Sequence, residues 1–229
     1  MNNPRIRKYY KTNAMTNTIF VVLVAMFALE TFNGGSEDSA VLFKLGAQFN
    51  PAVIILGQWW RLFTAQFLHI GLLHLVVNCV TLFYMGQYLE PMLGHVRFLI
   101  IYLLAGVGGN LMTLAFGSDN AVSAGASTAL FGLFGAMIAL GIANRTHEGM
   151  AYLGRQSFVL AVINLLFDIN VPQIDTWGHV GGLIAGFLLT VILGDQNLRG
   201  YKLPIKILAA LALIVFILAT LRMGFIISE

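Results

Sequence analysis

Apolar residues fall in long unbroken runs along this chain, divided by short polar stretches, and nowhere do they alternate with period two. Seven runs approach the length of about 20 residues that a helix needs to cross a bilayer. They extend from Met15 to Phe32, Gly71 to Tyr88, Phe98 to Phe116, Ser127 to Ala143, Gln156 to Ile169, Trp177 to Gly194 and Leu203 to Ile227. Continuity rather than alternation excludes a β-barrel. The pattern predicts an all-α, multi-pass membrane protein.

Composition agrees. Of 229 residues, 58% are hydrophobic and 10% charged, and the mean hydropathy is +0.82, which leaves too little polar surface to clothe a soluble globule. No Pro- or Ser-rich linker divides the chain, so residues 1–229 read as one domain. Every connection but one is short. The exception, from about Asn33 to Ala65, opens with "NGGSED" and turns apolar and aromatic in "VLFKLGAQFNPAVIILGQWWRLF". A loop of that kind is expected to lie on or in the outer leaflet.

Charge orients the spans. The first follows the basic stretch "PRIRKYYK" and lacks a small-residue cleavage site, so it reads as a retained helix rather than a signal peptide. With the amino terminus cytoplasmic, ten basic residues lie inside: Arg5, Arg7, Lys8, Lys11, Arg97, Arg145, Arg155, Arg199, Lys202 and Lys206. Three lie outside: Lys44, Arg61 and Arg222, which completes the 13. The bias predicts a cell-membrane protein with its carboxyl terminus outside. The net charge of +3 then reflects topology, and no nucleic-acid partner is expected. Cys79 is the only cysteine, which rules out an internal disulfide and a thiol-rich metal site. Neither a metal nor a cofactor is expected.

Polar residues that apolar spans nevertheless carry are the informative ones. "HIGLLHLVVNCV" places His74 and Asn78 four apart, hence on one helical face, with His69 on another side or just before the helix. The fourth span begins at Ser127, in "SAGASTALFG". In the sixth, "TWGHVGGLIAG" puts His179 near the outer end with Gly182 and Gly186 on its own face. Small residues let membrane helices approach closely, so the glycines fix a short distance between helices carrying a serine and a histidine. His74, Ser127 and His179 share one depth.

Histidine is the usual base for a serine nucleophile. The oxyanion formed in the attack needs donors, and the Ser127 amide, the Asn78 carboxamide and the His74 ring are candidates. Asp119, Asp168 and Asp175 read as loop residues, so the pattern predicts a Ser-His dyad.

These residues resemble the rhomboid intramembrane serine proteases over about Trp59 to Phe187. Trp60-Arg61 is similar to that family's tryptophan-arginine pair. His74-Leu75-Val76-Val77-Asn78 matches its His-x-x-x-Asn, Gly125-Ala126-Ser127 its Gly-x-Ser, and Gly178-His179 with Gly182 and Gly186 its catalytic-histidine helix. The resemblance implies a six-helix bundle over about 15–194 with an extra carboxy-terminal seventh helix over about 203–227. It implies Ser127 as nucleophile, His179 as base, His74, Asn78 and the Ser127 amide as the oxyanion pocket, and single-span membrane proteins as substrates, cut in or next to their membrane segment. Where the family often has a tyrosine stacked on the catalytic histidine, this chain has Phe131.

Singly, each residue has a plainer reading. Ser127 suits a helix interface or an amino-terminal cap, His74 and Asn78 suit interhelical hydrogen bonding, Trp60-Arg61 suits an interface anchor and Phe131 suits packing. His95 and His147 read as solvated loop residues. It is the shared depth of Ser127, His74 and His179 that favours chemistry.

Other functions fit less well. "HEGMA" at His147 lacks the second histidine of a zinc protease. An aspartyl protease needs paired carboxylates within the spans. In a transporter or channel the polar path would continue through the inner half. A silent relative that binds membrane helices would lack the serine or the histidine. For a protease, the substrate helix is expected to enter sideways and unwind near its outer end, because helical carbonyls are already bonded. The fifth span, with "INLLFDINVP" and Pro172, is a plausible gate.

Overall fold

The computed structural model describes residues 13–171, 174–194 and 200–226; the basic amino-terminal stretch, Arg199 and Pro172 lie outside them. Ten α-helices follow one another in the described residues. They are α1 (Ala14–Phe32), α2 (Ser39–Leu45), α3 (Asn50–Ile54), α4 (Arg61–Thr64), α5 (Leu72–Leu93), α6 (His95–Phe116), α7 (Ser127–Ala143), α8 (Glu148–Asp168), α9 (Thr176–Leu193) and α10 (Leu203–Ile226). A 3-10 turn over Ala65–Phe67 follows α4. The β-structure among the described residues is one isolated antiparallel bridge, Gln48 to Ser123.

Helices α1, α5, α6, α8, α9 and α10 are long and apolar enough to span a membrane. The seventh expected span, α7, has 17 residues. At about 1.5 Å per residue it covers about 25 Å, less than the about 30 Å of a hydrocarbon core, so one of its ends stops inside the apolar thickness. It can be short because it does not face lipid: α5, α6, α8 and α9 pack around it, and residues from Thr128 to Gly141 are almost all buried.

Missing side chains hold the centre together. A Cβ on Gly186 would overlap the Gly132 carbonyl and Cα, one on Gly182 the Thr128 carbonyl oxygen, and one on Gly135 the Leu183 carbonyl oxygen. So α7 and α9 meet backbone to backbone. Helix α6 closes on α9 in the same way, with Gly108 against Ala185 and Gly109 against the Gly178 carbonyl, and α8 meets α7 where Gly141 faces Gly154. In lipid, burial of apolar surface gives helices little reason to associate, so close van der Waals contact of this kind carries the packing. Around this centre α10 buries only the stripe Ala209, Thr220 and Gly224, with the last against Leu114.

Three helices run further than the apolar pattern indicates: α5, α8 and, by its start at His95 rather than Phe98, α6. Helix α5 continues past Tyr88 through Glu90 and Pro91 to Leu93 because the Glu90 carboxylate is fully engaged. It accepts hydrogen bonds from the Met15 amide (2.7 Å), the Thr16 amide (2.8 Å) and the Thr16 hydroxyl (2.6 Å), and pairs with His95 Nδ1 at 2.5 Å. A carboxylate over the free amides at the start of α1 also complements that helix's dipole. Pro91 sits in the last turn, and Gly94, at φ +78°, ends the helix in a conformation few other residues adopt. His95 is exposed, as expected, but it is the first residue of α6 rather than a loop residue, and its Nδ1 meets Glu90. Helix α8 starts at Glu148, eight residues before Gln156, and His147 Nδ1 caps it by accepting the Met150 amide at 3.4 Å. The exposed Tyr152 and Arg155 hid this turn from the apolar count, but Met150 and Gly154 already belong to its buried face.

The long connection folds onto one end of the bundle, where α5, α7 and α9 begin. Its polar residues find partners there. Gln48 donates to the Asn110 carbonyl at 2.9 Å, Asn50 to Asp119 at 3.0 Å, and Asn110 to the Leu62 carbonyl at 2.8 Å. Ile55, Leu56, Trp60 and Phe63 remain exposed, as expected of a loop that lies against lipid.

Candidate active site

The segment before Ser127 is pinned on both sides. Ser123 and Gln48 exchange two backbone hydrogen bonds of 2.9 Å, and the Gly125 amide donates to the Ala65 carbonyl at 3.1 Å. Gly125 has φ +152°, which disfavours any side chain there, and space forbids one as well: a Cβ would stand 2.7 Å from His74 Cε1 and 3.4 Å from Ser127 Oγ. The His74 ring therefore passes over Gly125 beside the serine hydroxyl. Ser127 itself is the first residue of α7, half-buried, with its amide among the unpaired donors that open a helix.

His179 is set by the start of α9. Asp175 caps that helix, accepting the Gly178 amide at 2.9 Å through Oδ1 and the hydroxyls of Thr113 (2.5 Å) and Ser123 (2.9 Å) through Oδ2. This carboxylate is structural. One turn on, Gly182 lies against the Thr128 carbonyl, which brings the His179 turn level with the start of α7. Its ring stacks on Phe131, with centroids 4.2 Å apart and planes 12° from parallel. Phe131 is four residues after Ser127 and so lies one turn below it on the same face of α7. The stack holds the imidazole against the Ser127 side of that helix.

His179 Nδ1 is 2.7 Å from Asp168 Oδ2, and both side chains are buried, at 8% and 5% exposure. The contact occupies Nδ1 and leaves Nε2 as the ring nitrogen not engaged by Asp168. This corrects the expectation that no acid reaches the depth of Ser127. Asp168 is the last residue of α8, not a loop residue, and it continues the inward stripe of Met150, Gly154, Ser157 and Ala161. The signal was present in the sequence as that spacing, but a lone carboxylate at the end of an apolar run reads as the start of the loop.

Asn78 is 4% exposed, and its Nδ2 donor has no partner among the described residues. A buried amide without an acceptor is costly unless a ligand supplies one. His74, one turn earlier on α5, borders the same space. His69 lies outside α5 in the preceding connection, fully buried, its ring edge-on to His74 with centroids 5.3 Å apart. Burial, and after it the His74 ring, push His69 down to about 3, so it is neutral at ordinary pH.

Trp60 and Arg61 lie apart from this group. Arg61, 5% exposed, donates to the carbonyls of Phe43 and Ala47, both at 2.7 Å, and to Gln58 Oε1 at 2.6 Å, while its guanidinium sits 4.0 Å over the Phe43 ring. Burial pulls its guanidinium below the ordinary value. It staples the long connection. Trp60 is exposed, whereas the neighbouring Trp59 packs on Phe225 of α10 at 5.7 Å.

The arrangement thus offers a hydroxyl at a helix start, an imidazole whose Nδ1 is engaged by Asp168, and a buried amide donor. Among the described residues no group of three or more His, Cys, Asp and Glu side chains is arranged to hold a metal ion.

A model of the Rhomboid domain matches residues 56–196, which contain all of these groups. Over 177 residues the chain is 41% identical to Rhomboid protease GluP of Bacillus subtilis (strain 168), an alignment covering 77% of this chain and 34% of GluP. It is 38% identical over 166 residues to RHOMBOID-like protein 6, mitochondrial, of Arabidopsis thaliana, covering 72% and 53% of the two chains. With RHOMBOID-like protein 7 of the same plant, identity is 36% over 173 residues, covering 73% and 54%. The chain thus spans between about a third and about half the length of these relatives.

Proposed function

The chain belongs to the rhomboid family, and from that premise we propose that it is an intramembrane serine endopeptidase with Ser127 as nucleophile and His179 as general base. The observation that carries this reading is the stack of His179 on Phe131, one helical turn from Ser127, with Nδ1 already committed to Asp168. Only Nε2 is left to take the serine proton.

In the first half-reaction Ser127 Oγ attacks the scissile carbonyl carbon while its proton passes to His179 Nε2. The carbonyl π pair moves onto oxygen. Collapse of the tetrahedral species breaks the C–N bond, and the imidazolium returns the proton to the leaving nitrogen. Water then attacks the acyl-enzyme with the same base, and the serine regains its proton. The unpaired Asn78 Nδ2, the Ser127 amide at the start of α7 and the His74 ring are the donors for the oxyanion, where the positive end of α7 adds to the field.

Substrates in this reading are single-span membrane proteins that unwind locally beside Ser127, so membrane lipid is the second partner. Access between α5 and α8 is supported by how little those helices touch and by the exposed apolar side chains of Val76, Val77, Leu166 and Phe167. The described basic residues support a cell-membrane orientation with the amino terminus cytoplasmic. Arg97, Arg145, Arg155, Lys202 and Lys206 lie at the end away from Ser127, whereas Lys44, Arg61 and Arg222 lie at the Ser127 end. The single domain proposed here joins the bundle from α1 to α9 with α10 as an added helix.

The test is covalent labelling. Detergent-solubilised protein treated with an activated fluorophosphonate is expected to be modified at Ser127, with a matching loss of cleavage of a panel of single-span helices. Ser127→Ala and His179→Ala are expected to lose both. Cleavage by Ser127→Ala at the unmutated rate refutes the assignment.

A further inference from the structure

We propose that Asp168 is a positioning residue for the reaction: its carboxylate fixes the His179 ring in the Nδ1–H tautomer and stabilises the imidazolium formed when Ser127 loses its proton, so that the site works as an Asp-His-Ser series rather than an isolated pair. This deepens the serine-protease reading and rests on it.

Four observations carry the proposal. The contact is short, 2.7 Å between Oδ2 and Nδ1, and joins two side chains buried to 5% and 8% exposure, away from competing water. The carboxylate stands at the wrong end of its own helix. As the last residue of α8 it faces the negative end of the dipole, where an anion is disfavoured, so helix stability does not account for it. His179 is the hydrogen-bond partner of its side chain among the described residues. Finally, the other acidic group near His179 is already occupied: Asp175, on the same helix, is held by Gly178, Thr113 and Ser123.

Helix α8 gives the contact a further consequence. It packs closely on α7 near Gly141 and Gly154, at the end away from Ser127, while toward Asp168 it exposes Ile163, Leu166 and Phe167. Among the described residues the Asp168 carboxylate is the polar tie between that loosely packed end and the bundle. If α8 moves aside to admit a substrate helix, the tie is broken, and it must re-form before proton transfer. Access and base competence are thereby linked through one hydrogen bond.

Asp168→Asn keeps size and shape but offers a carboxamide that can donate to Nδ1, which selects the opposite tautomer and places the proton on Nε2. The experiment compares wild type, Asp168→Asn, Asp168→Ala and Ser127→Ala, each with 15N-labelled histidine, by fluorophosphonate labelling rate and by the 15N shifts of the His179 ring. The expected result is Nδ1–H in wild type and in Ser127→Ala, and Nε2–H in Asp168→Asn. Labelling and kcat are expected to fall about 100-fold or more in Asp168→Asn, toward the about 10⁴-fold that this exchange costs a soluble triad, with KM little changed. A purely structural carboxylate would leave the tautomer where it was. Labelling of Asp168→Asn at the wild-type rate, or an unchanged Nδ1–H signal, overturns the positioning role while leaving the protease reading intact. Wild-type protein that neither labels at Ser127 nor cleaves any helix overturns the protease reading, and the proposal with it.

Discussion

Gly182 on α9 faces the carbonyl oxygen of Thr128 on α7 so closely that a methyl group there would overlap it. The obstruction is backbone, which cannot rotate away as a side chain can. Gly182→Ala is therefore expected to push α9 off α7 and carry His179, one turn earlier, away from Ser127. Overpacking of this kind costs about 1 to 3 kcal/mol, while the displacement of the base costs turnover. The check is to measure the thermal midpoint and kcat/KM together. A variant with full activity and an unmoved midpoint would show that the helices have slack the structure does not have.

Phe131 offers the flat face on which the His179 ring rests. Exchange for leucine keeps an apolar side chain but removes the stack, a contact worth about 0.5 to 1.5 kcal/mol. Phe131→Leu is expected to slow Ser127 labelling by up to about tenfold, whereas Phe131→Tyr, which keeps the ring, is expected to label at close to the wild-type rate. Equal rates in all three would mean that the stack does not orient the base.

On the proposed mechanism Asn78 sets stability against function. Among the described residues its buried Nδ2 lacks an acceptor, a state that costs about 1 to 3 kcal/mol. Asn78→Ala is then expected to fold at least as stably as the unaltered chain. Turnover moves the other way: losing one oxyanion donor costs about 2.7 to 4 kcal/mol, or 10² to 10³ in kcat. A fall in stability with no fall in kcat would assign Asn78 to packing.

At the other end of the bundle, Glu90 is expected to act on stability alone. Glu90→Ala strands the Met15 and Thr16 amides, the Thr16 hydroxyl and His95, and is expected to lower the unfolding midpoint by several degrees. In protein kept folded at low temperature, fluorophosphonate labelling of Ser127 is expected at the wild-type rate. A selective loss of labelling would require coupling along the length of α5.

Much of this was legible in the chain. Membrane helices have few options for their backbone polar groups, so apolar run length alone gave seven helices and most of their ends. The candidate site was legible because lipid makes polar residues conspicuous: His74, Asn78, Ser127 and His179 stand out against what surrounds them. Where the reading failed, a charged or exposed residue belonged to a helix. Glu90 lies beyond the run that stops at Tyr88, and Asp168 reads as a loop residue, yet each belongs to a helix and is satisfied by a partner elsewhere in the chain, the α1 amino terminus or His179. Their partners are 74 and 11 residues away in sequence, and run length carries no information about such pairs. The plainer reading of Trp60-Arg61 fares differently. Trp60 is exposed enough for an interface anchor, while Arg61 turns inward to hold carbonyls.

His69 gives the fold its own acid limit. Its ring is fully buried, and that burial, with the His74 ring after it, pushes its affinity for a proton down to about 3 in the folded chain from an ordinary value of 6.5. Below 6.5 the unfolded chain takes up a proton that the folded chain refuses, so mass action favours unfolding. The His69 contribution to stability is thus complete above 6.5 and is lost progressively as pH falls from 6.5 toward about 3. Replacing the ring by phenylalanine removes this linkage. Cys79, the only thiol and a buried one, lets a thiol-reactive fluorophore report unfolding. Between pH 6.5 and pH 4 the midpoint of the unaltered protein is expected to fall more steeply than that of His69→Phe. Parallel slopes would mean that His69 is protonated as readily inside the bundle as outside it.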